Sequence, residues 1–361
     1  MIRILHSELQ ENIGGIESFL LNLTKTIDMN DIQFDMLMRG NNNYLENELK
    51  KYGVKIYKVP TNSLEYLQFI KRVLNKNKYD IVHIHKNSAA NIILPQLVKK
   101  YSNAKLVIHS HNTSPSSGSK LGSILHKINY RHLLRLSDCR LACSDTAAQW
   151  LFGKDYAKKN VTIIKNGIIS SLYTFDLNKR KKIRKELGLE DKFVIGHVGA
   201  FRMQKNHKFL IDLIATNKIS NVRLVLVGKG ELKKEIELYA KEKKVQDKIL
   251  FLGGRNDVYN VLQGFDVFVM PSLWEGLPVS TIEAQASGLP LILSAQVSRL
   301  TKITPSVFFL NLDNLNQWIK KINELKNDFK REDESEFIKK AGYDMSSSAK
   351  EIKKIYLNIL Q

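Results

Sequence analysis

Two carboxylates eight residues apart, Glu275 and Glu283, flank the turn Gly276-Leu277-Pro278 in the segment Pro271-Ser272-Leu273-Trp274-Glu275-Gly276-Leu277-Pro278-Val279-Ser280-Thr281-Ile282-Glu283-Ala284. The segment follows the apolar run Val267–Met270 and opens the amphipathic stretch Val279–Ser287. That order reads as strand, turn and helix. It places Glu275 in the loop at the strand's C-terminal end, where open α/β sheets bind ligands. Glu283 falls one to two turns into the helix. A loop carboxylate and a helical carboxylate can then face one site, with a helix N-terminus between them to hold an anion. Two arbitrary glutamates would more often be solvated surface groups; the strand–turn–helix context favours a site.

Other strand ends carry groups suited to the same chemistry. Gly14-Gly15-Ile16-Glu17 starts a helix soon after the first strand. Paired glycines let backbone approach a ligand closely, and the helix N-terminus suits a phosphate. The pair is not the G-x-G-x-x-G dinucleotide fingerprint, and a simple turn would look the same. Gly199-Ala200-Phe201-Arg202-Met203-Gln204-Lys205-Asn206-His207 follows the first strand of the second half. A cation there, Arg202 or Lys205, can offset charge building on a departing diphosphate. His111, in His109-Ser110-His111-Asn112, closes another strand and can exchange a proton near neutral pH. His83, His85 and His109 read as structural. In Gly253-Gly254-Arg255-Asn256-Asp257-Val258, Asp257 reads as a helix cap. Val227-Gly228-Lys229-Gly230-Glu231 reads as a structural glycine turn at a strand end.

The elements that must position these groups alternate regularly. Candidate strands are Ile2–His6, Phe34–Met38, Ile81–His85, Leu106–His109 and Cys139–Cys143, then Phe193–Val198, Val222–Val227, Ile249–Leu252, Val267–Met270 and Leu289–Leu293. Several are nearly continuous Val/Ile/Leu runs, as in strands covered on both faces. Helical patterns lie between them at Ile16–Thr26, Leu64–Asn75, Gly122–Leu136, Phe209–Ala215, Leu232–Glu242 and Val279–Ser287. Two such sets imply two doubly wound α/β domains. The expected division is residues 1–170, 171–345 and a terminal helix at 346–361, capped by Ser346-Ser347-Ser348. The join falls near Gly167–Lys185, where the basic run Lys179–Lys185 reads as a solvated helix start.

Taken in order, these motifs resemble the retaining family 4 glycosyltransferases of the GT-B fold, and the likeness is closest to bacterial enzymes building capsular or exopolysaccharide. Glu275-Gly276-Leu277-Pro278 with Glu283-Ala284 matches the family's E-x7-E motif, and the resemblance runs over nearly the whole chain. It implies two Rossmann-like domains facing each other across a cleft, with the terminal helix returning to the first. The first domain would bind the acceptor and the second a nucleotide sugar. Glu283 would bind the ribose, and Glu275 the donor sugar's hydroxyls with the amides of Gly276 and Leu277. The Gly14–Gly15 loop would cover the diphosphate, and His111 would reach the reaction centre. Arg255 and Val258 lie in the loop that meets the base. Relatives carry Gly-Arg-Phe ahead of Gln-Lys-Asn, but Ala200 stands at that arginine position here. Either Arg202 reaches the phosphates from two residues along, or leaving-group stabilisation rests on Lys205. The implied reaction moves a hexose or N-acetylhexosamine from a UDP-sugar to a lipid-linked oligosaccharide, with retention and without a metal. A sugar-nucleotide epimerase of the same fold is the first alternative, and a basic nucleic-acid-binding protein the second.

Composition narrows the class. The 361 residues are 43% hydrophobic and 25% charged, which excludes disordered and collagen-like chains and suits two domains. Lysine and arginine give a net charge of +20, a field that favours polyanionic partners without choosing among them. Lys127, Arg131 and Arg135 recur at helical spacing beside Leu125, Ile128, Leu133 and Leu134. They read first as a solvated face and second as a contact for an anionic leaflet or a lipid diphosphate. No apolar run approaches the ~20 residues of a bilayer span. No signal-peptide core is seen, so the expectation is a cytoplasmic protein, peripheral on the inner face of the bacterial membrane. No Asp-x-Asp pair occurs, and Cys139 and Cys143 have neither further cysteines nor clustered histidines beside them, so no metal site is expected.

Overall fold

Short Val/Ile/Leu runs that bury both faces are satisfied only as inner strands of a sheet covered by helices on either side. A computed structural model, describing residues 1–11, 14–112, 120–216 and 221–361, shows two such sheets. They belong to two compact units. One comprises Met1–Gly167 with Gly342–Gln361, the other Ile168–Ala341.

In the first unit the strands are β1 (Ile2–Leu9), β2 (Ile32–Met38), β3 (Lys55–Lys58), β4 (Ile81–Lys86), β5 (Lys105–Ser110), β6 (Cys139–Ala142) and β7 (Thr162–Ile163). They form a seven-stranded sheet in the order β3-β2-β1-β4-β5-β6-β7, parallel throughout. The strand order reverses direction at β1 and β4, the switch point at which doubly wound sheets open a crevice. Leu5, Val82, Ile84, Leu106 and Ile108 pack with Ile70, Val73, Val98 and Leu133 from the helices, all buried. Full burial of each such side chain stabilises the fold by roughly 1.5–3 kcal/mol relative to exposure.

The second unit repeats the plan with β8 (Phe193–Val198), β9 (Val222–Val227), β10 (Ile249–Gly253), β11 (Val267–Met270), β12 (Leu291–Ser294) and β13 (Val307–Leu310). Their order is β10-β9-β8-β11-β12-β13, again parallel, with the switch between β8 and β11. Ile195, Leu224, Val267, Val269 and Ile292 meet Leu210, Ile214, Ile236 and Trp318 in its core.

The strand pattern in the sequence omits β3, β7 and β13. β3 and β13 are four-residue strands and β7 has two residues; β3, Lys-Ile-Tyr-Lys, is an edge with exposed ends. β12 begins at Leu291 rather than Leu289, because Pro290 cannot donate to the ladder. The terminal helix is longer than its apolar period suggests. It runs Met345–Leu360 and is capped by Asp344, which accepts from the Ser346 amide at 2.9 Å, so the three serines lie inside it. Tyr356 and Ile352 are fully buried, and Lys353 pairs with Asp28 at 2.7 Å. A Cβ on Gly167 would lie 2.9 Å from the Met345 backbone, so only glycine permits that approach.

The basic run is the other correction. Asp176 caps the helix Leu177–Glu186, as a solvated start requires. Arg184, however, is buried and, with Arg180, binds Asp266 and carbonyls of Gly264 and Phe265. Two of the cations therefore anchor the sheet rather than face solvent.

Candidate active site

In the second unit, two loops at the C-terminal edge of the sheet are stitched together. After β8 the chain turns through Met203–Lys205, and Asn206 adopts a left-handed conformation with φ 55°. The Asn206 side chain donates to the Pro271 carbonyl at 3.2 Å, and the Gln204 amide group to the Trp274 carbonyl at 2.8 Å. The Leu273 amide returns a bond to the Gln204 carbonyl at 2.8 Å. The glycine turn after β9 backs the same loop. Gly228 has φ +152°, and a Cβ there would stand 2.0 Å from the Gly199 carbonyl oxygen.

This stitching brings Lys205 Nζ to 2.6 Å from Glu275 Oε1, with the two side chains only 14% and 11% exposed. Glu275 is held from behind, since its carbonyl accepts from the Ser298 amide at 3.0 Å. Gly276 borders open space, for a Cβ there meets nothing within 4 Å. Glu283 lies on the helix Val279–Ala286 and accepts from the Tyr173 hydroxyl at 2.7 Å. Burial raises its carboxyl above the usual range, and the Tyr173 bond opposes that rise. Tyr173 is 110 residues away in sequence, and no local pattern marks it.

The remaining sequence candidates in this unit sit differently. Arg202 is exposed, and its amide closes a turn on the Ala200 carbonyl at 2.7 Å. Arg255 is engaged by Asp257 through two bonds of 2.8 Å and by Glu186 at 3.3 Å. Asp257 thus spends its carboxylate on Arg255 and makes no side-chain cap, although it precedes the helix Val258–Val261. Leu277 and Val258 are half-buried at their loops.

In the first unit the parallel register assembles what the sequence spreads out. His6 pairs with His83 across β1 and β4, and His85 with His109 across β4 and β5. His6 Nδ1 lies 3.1 Å from His85 Nε2, and His85 Nδ1 lies 2.9 Å from His111 Nε2. In each contact one nitrogen carries the proton and the other accepts, so the tautomer of His85 fixes those of His6 and His111 together. His83 Nδ1 meets the Tyr356 hydroxyl at 2.6 Å. Burial pushes His6 and His111 down to about 3, and His83, His85 and His109 well below the ordinary value. These imidazoles are therefore neutral at physiological pH.

Histidines, without either cysteine, thus form clusters that the reading of His83, His85 and His109 as separate structural residues did not foresee. His6, His83 and His85 form one set and His85, His109 and His111 another, each with ligand atoms within 4.8 Å of one another. Neutral imidazoles of this kind suit zinc, copper or nickel. Two H-x-H pairs at neighbouring strand ends were the available signal.

Gly14 and Gly15 open the helix Gly15–Thr26. The Glu17 carboxylate already accepts from the Gly14 amide and from the Gln10 amide, each at 2.9 Å. A Cβ on Gly15 would meet nothing within 4 Å. Lys127, Arg131 and Arg135 are exposed on the helix Lys120–Leu136, and so are Leu121, Ile124, Leu125 and Ile128. Among the described residues no helix is long and apolar enough to cross a membrane.

Two family models cover most of the chain. "Glycosyltransferase Family 4" matches residues 13–171 and "Glycosyl transferases group 1" matches residues 179–343. EpsF of Bacillus subtilis, named as a glycosyltransferase, is 34% identical over 308 residues, covering 82% of this chain and 80% of its own. The chain belongs to the group 1/family 4 glycosyltransferases. This glycosyltransferase is also 28% identical over 315 residues to the Escherichia coli UDP-Gal:alpha-D-GlcNAc-diphosphoundecaprenol alpha-1,3-galactosyltransferase, covering 81% and 79% of the two chains. Its fold is that of Anabaena Alr3699/HepE, solved in complex with UDP-glucose. The TM-score is 0.73 at 19% identity, over 100% of this glycosyltransferase and 98% of that chain. Two Rossmann-like domains of the GT-B class are thereby shown.

Proposed function

We propose that this glycosyltransferase moves a hexose or N-acetylhexosamine from a UDP-sugar to a saccharide carried on a lipid diphosphate, with retention of configuration, in the assembly of a surface polysaccharide. The observation that carries the reading is the Lys205–Glu275 pair in the loops at the C-terminal edge of the second sheet, with Glu283 on the helix that follows Glu275. It offers a cation for a diphosphate, a carboxylate for sugar hydroxyls and a second carboxylate for a ribose. UDP-glucose in the HepE complex and the donor and acceptor named for the Escherichia coli relative support the same chemistry.

In this reading Glu283 accepts from the ribose hydroxyls, and Gly276 and Leu277 present amides to the donor. Lys205 stabilises charge as the bond from the sugar's C1 to the diphosphate breaks. The acceptor hydroxyl forms the new C1–O bond on the same face, and its proton passes to the departing diphosphate. The first unit binds the acceptor, with His111 and the Gly14–Gly15 backbone as its candidate groups. A lysine and amides neutralise the diphosphate, so transfer proceeds without a divalent cation. Arg202, exposed in the loop, is the alternative cation for the diphosphate. Arg255 and Val258 border the base through backbone groups, since the Arg255 guanidinium is committed to carboxylates.

Membrane contact is part of the proposal. Leu121, Ile124, Leu125 and Ile128 fall at i, i+3, i+4 and i+7, an exposed apolar stripe bordered by Lys127, Arg131 and Arg135. That combination suits a helix lying in the surface of an anionic leaflet.

The test is thermal unfolding against UDP, GDP, ADP and their sugars, with magnesium or EDTA, followed by product analysis with a lipid-diphosphate acceptor. A ligand at 100 times its dissociation constant stabilises by about 2.7 kcal/mol. A UDP-selective shift that EDTA leaves intact, with a retained linkage in the product, is the expected outcome. A product that remains a nucleotide sugar in the absence of acceptor would make the protein an epimerase instead.

A further inference from the structure

His83 and His85 on β4, and His109 and His111 at the end of β5 and just beyond it, recur at alternate positions, which share one face of a strand. His85 stands beside His109 in the parallel register. The His111 amide carries the ladder one step further by donating to the Lys86 carbonyl at 3.1 Å. His85, His109 and His111 thereby bring three ring nitrogens within 4.8 Å of one another. His85 Nδ1 and His111 Nε2 are 2.9 Å apart. Two nitrogens bound to one tetrahedral ion at about 2.0–2.1 Å stand roughly 3.3 Å apart, so this pair needs little movement to share one.

A ligating ring nitrogen carries no proton. The proton of a neutral imidazole then sits on the other nitrogen and wants a polar partner there. Each of the three has one. His85 Nε2 lies 3.1 Å from His6 Nδ1. The Asn166 side chain faces His111. The Ile164 backbone faces His109, and its amide already donates to the Ala142 carbonyl at 2.8 Å, which leaves its carbonyl for the imidazole.

The other set, His6, His83 and His85, shares His85 but suits an ion less. His6 and His83 are fully buried, and the Tyr356 hydroxyl meets His83 Nδ1 at 2.6 Å. A dication there would lie in the interior with no carboxylate in the set to offset it, which is costly. His111, by contrast, is half-buried beyond the end of β5, so an ion bound to it keeps a fourth position for water, as open zinc sites do.

We propose that His85, His109 and His111 form a binding site for one borderline divalent transition-metal ion, zinc above all, with water as the fourth ligand. Three imidazoles without an oxygen ligand from the protein select zinc, nickel or copper over magnesium and calcium. The site belongs to the first unit, whereas Lys205 and Glu275 belong to the second, and it goes beyond the transferase reading. It touches that reading at one point. An ion on His111 Nε2 withdraws the imidazole from the reaction, so zinc should inhibit transfer.

Isothermal titration of the untagged, EDTA-stripped protein with zinc chloride tests the site, together with the absorption spectrum of the cobalt(II) form. One zinc should bind, magnesium should not compete, and the cobalt spectrum should be that of a four-coordinate ion without thiolate. His85→Gln, His109→Gln and His111→Gln should each weaken zinc binding by roughly tenfold or more, and so should Asn166→Ala through the orientation of His111. The exposed control His132→Gln, and Cys139→Ser with Cys143→Ser, should change nothing. Thermal unfolding without metal checks each fold, and the half-buried His111 and Asn166 carry the test where a buried variant fails to fold.

Zinc affinity that survives His109→Gln and His111→Gln overturns the proposal, as does failure of the wild type to bind zinc or a cobalt spectrum with thiolate bands. Loss of binding in His83→Gln, with none in His109→Gln or His111→Gln, would put the ion on the other set and overturns it too. If zinc binds as expected without slowing transfer, the metal site stands and the place given to His111 at the reaction centre falls. If zinc binds while no nucleotide sugar binds or reacts, the site stands and the transferase reading fails.

Discussion

Lys205 Nζ and Glu275 Oε1 are 2.6 Å apart, and both side chains are largely withdrawn from water. Each neutralises the other, so neither charge is stranded away from water. In the proposed reaction a donor divides them, the lysine going to phosphate oxygens and the carboxylate to sugar hydroxyls. Lys205→Ala should lower kcat by roughly 10²–10³-fold, the usual loss when one stabilising donor is removed from an oxyanion. Glu275→Gln keeps hydrogen-bonding capacity and should mainly slow transfer, with UDP affinity little changed. The two losses should be less than additive in the double variant, because each single change leaves a half-buried partner unpaired. Steady-state kinetics on the four proteins checks this, and strict additivity would show that the pair does not act as a unit.

Glu283 is held by Tyr173 at 2.7 Å, and its carboxyl titrates above the ordinary range because it is buried. Glu283→Ala should weaken UDP binding roughly 10–100-fold, the effect of losing hydrogen bonds to a charged acceptor. Tyr173→Phe should give a smaller loss, since it frees the carboxylate without removing it. In the proposed reading the ribose binds the charged form, so UDP affinity should decline on acidification sooner than for an exposed carboxylate, and Glu283→Gln should abolish that dependence. The folded state binds this proton more tightly than the unfolded state does, so the charged carboxylate costs stability as pH rises. Glu283→Gln should therefore unfold at the same temperature as the wild type at pH 7, or at a higher one. Calorimetric titration between pH 5 and 8 reads both effects.

The legible parts of this protein are those whose signal is local. The segment 271–284 announces a strand, a turn and a helix in consecutive residues, and those elements are found there. The edge strands carry too little pattern to be read, β3 being two lysines around Ile56 and Tyr57. Arg180 and Arg184 looked solvated because the neutralising Asp266 comes more than eighty residues later. The histidine chain was hidden for a different reason. Its members lie on or just beyond three strands, and only the register β1–β4–β5 makes them neighbours. Tyr173 likewise meets Glu283 through tertiary packing alone. Long-range register and packing are what a single sequence does not display.

The helix Lys120–Leu136 should behave as a reversible membrane contact. A double change, Ile124→Gln with Ile128→Gln, removes two exposed apolar side chains, each contributing up to roughly 1.5–3 kcal/mol when fully buried. Flotation with phosphatidylglycerol vesicles should fall by about tenfold or more. Lys127→Gln with Arg131→Gln should cost about 1 kcal/mol per charge and should matter only at low salt. Thermal unfolding of both variants should match the wild type, since none of the four side chains is buried. Undiminished flotation of the isoleucine variant would remove this helix from the membrane reading.

The buried histidines predict where the protein fails in acid. His6 and His111 are pushed down to about 3, and His83, His85 and His109 fall well below the ordinary 6.5, all mainly by burial. Above pH 6.5 these side chains are neutral in both the folded and unfolded chain, and the full stability is present. Below it the unfolded chain takes up protons that the folded chain refuses, so stability is lost as pH falls from 6.5 toward 3. Each histidine adds a slope approaching about 1.4 kcal/mol per pH unit. Urea unfolding at pH 7.5, 6.5, 5.5 and 5.0 should therefore show a steep fall below 6.5, with no plateau at pH 5. His109 is fully buried and is held well below the ordinary value chiefly by burial, so His109→Leu is the informative change. It removes one titrating group and should flatten the pH profile, with a smaller effect on stability at pH 7.5. A profile of unchanged slope would mean that the cluster opens and protonates without unfolding the unit.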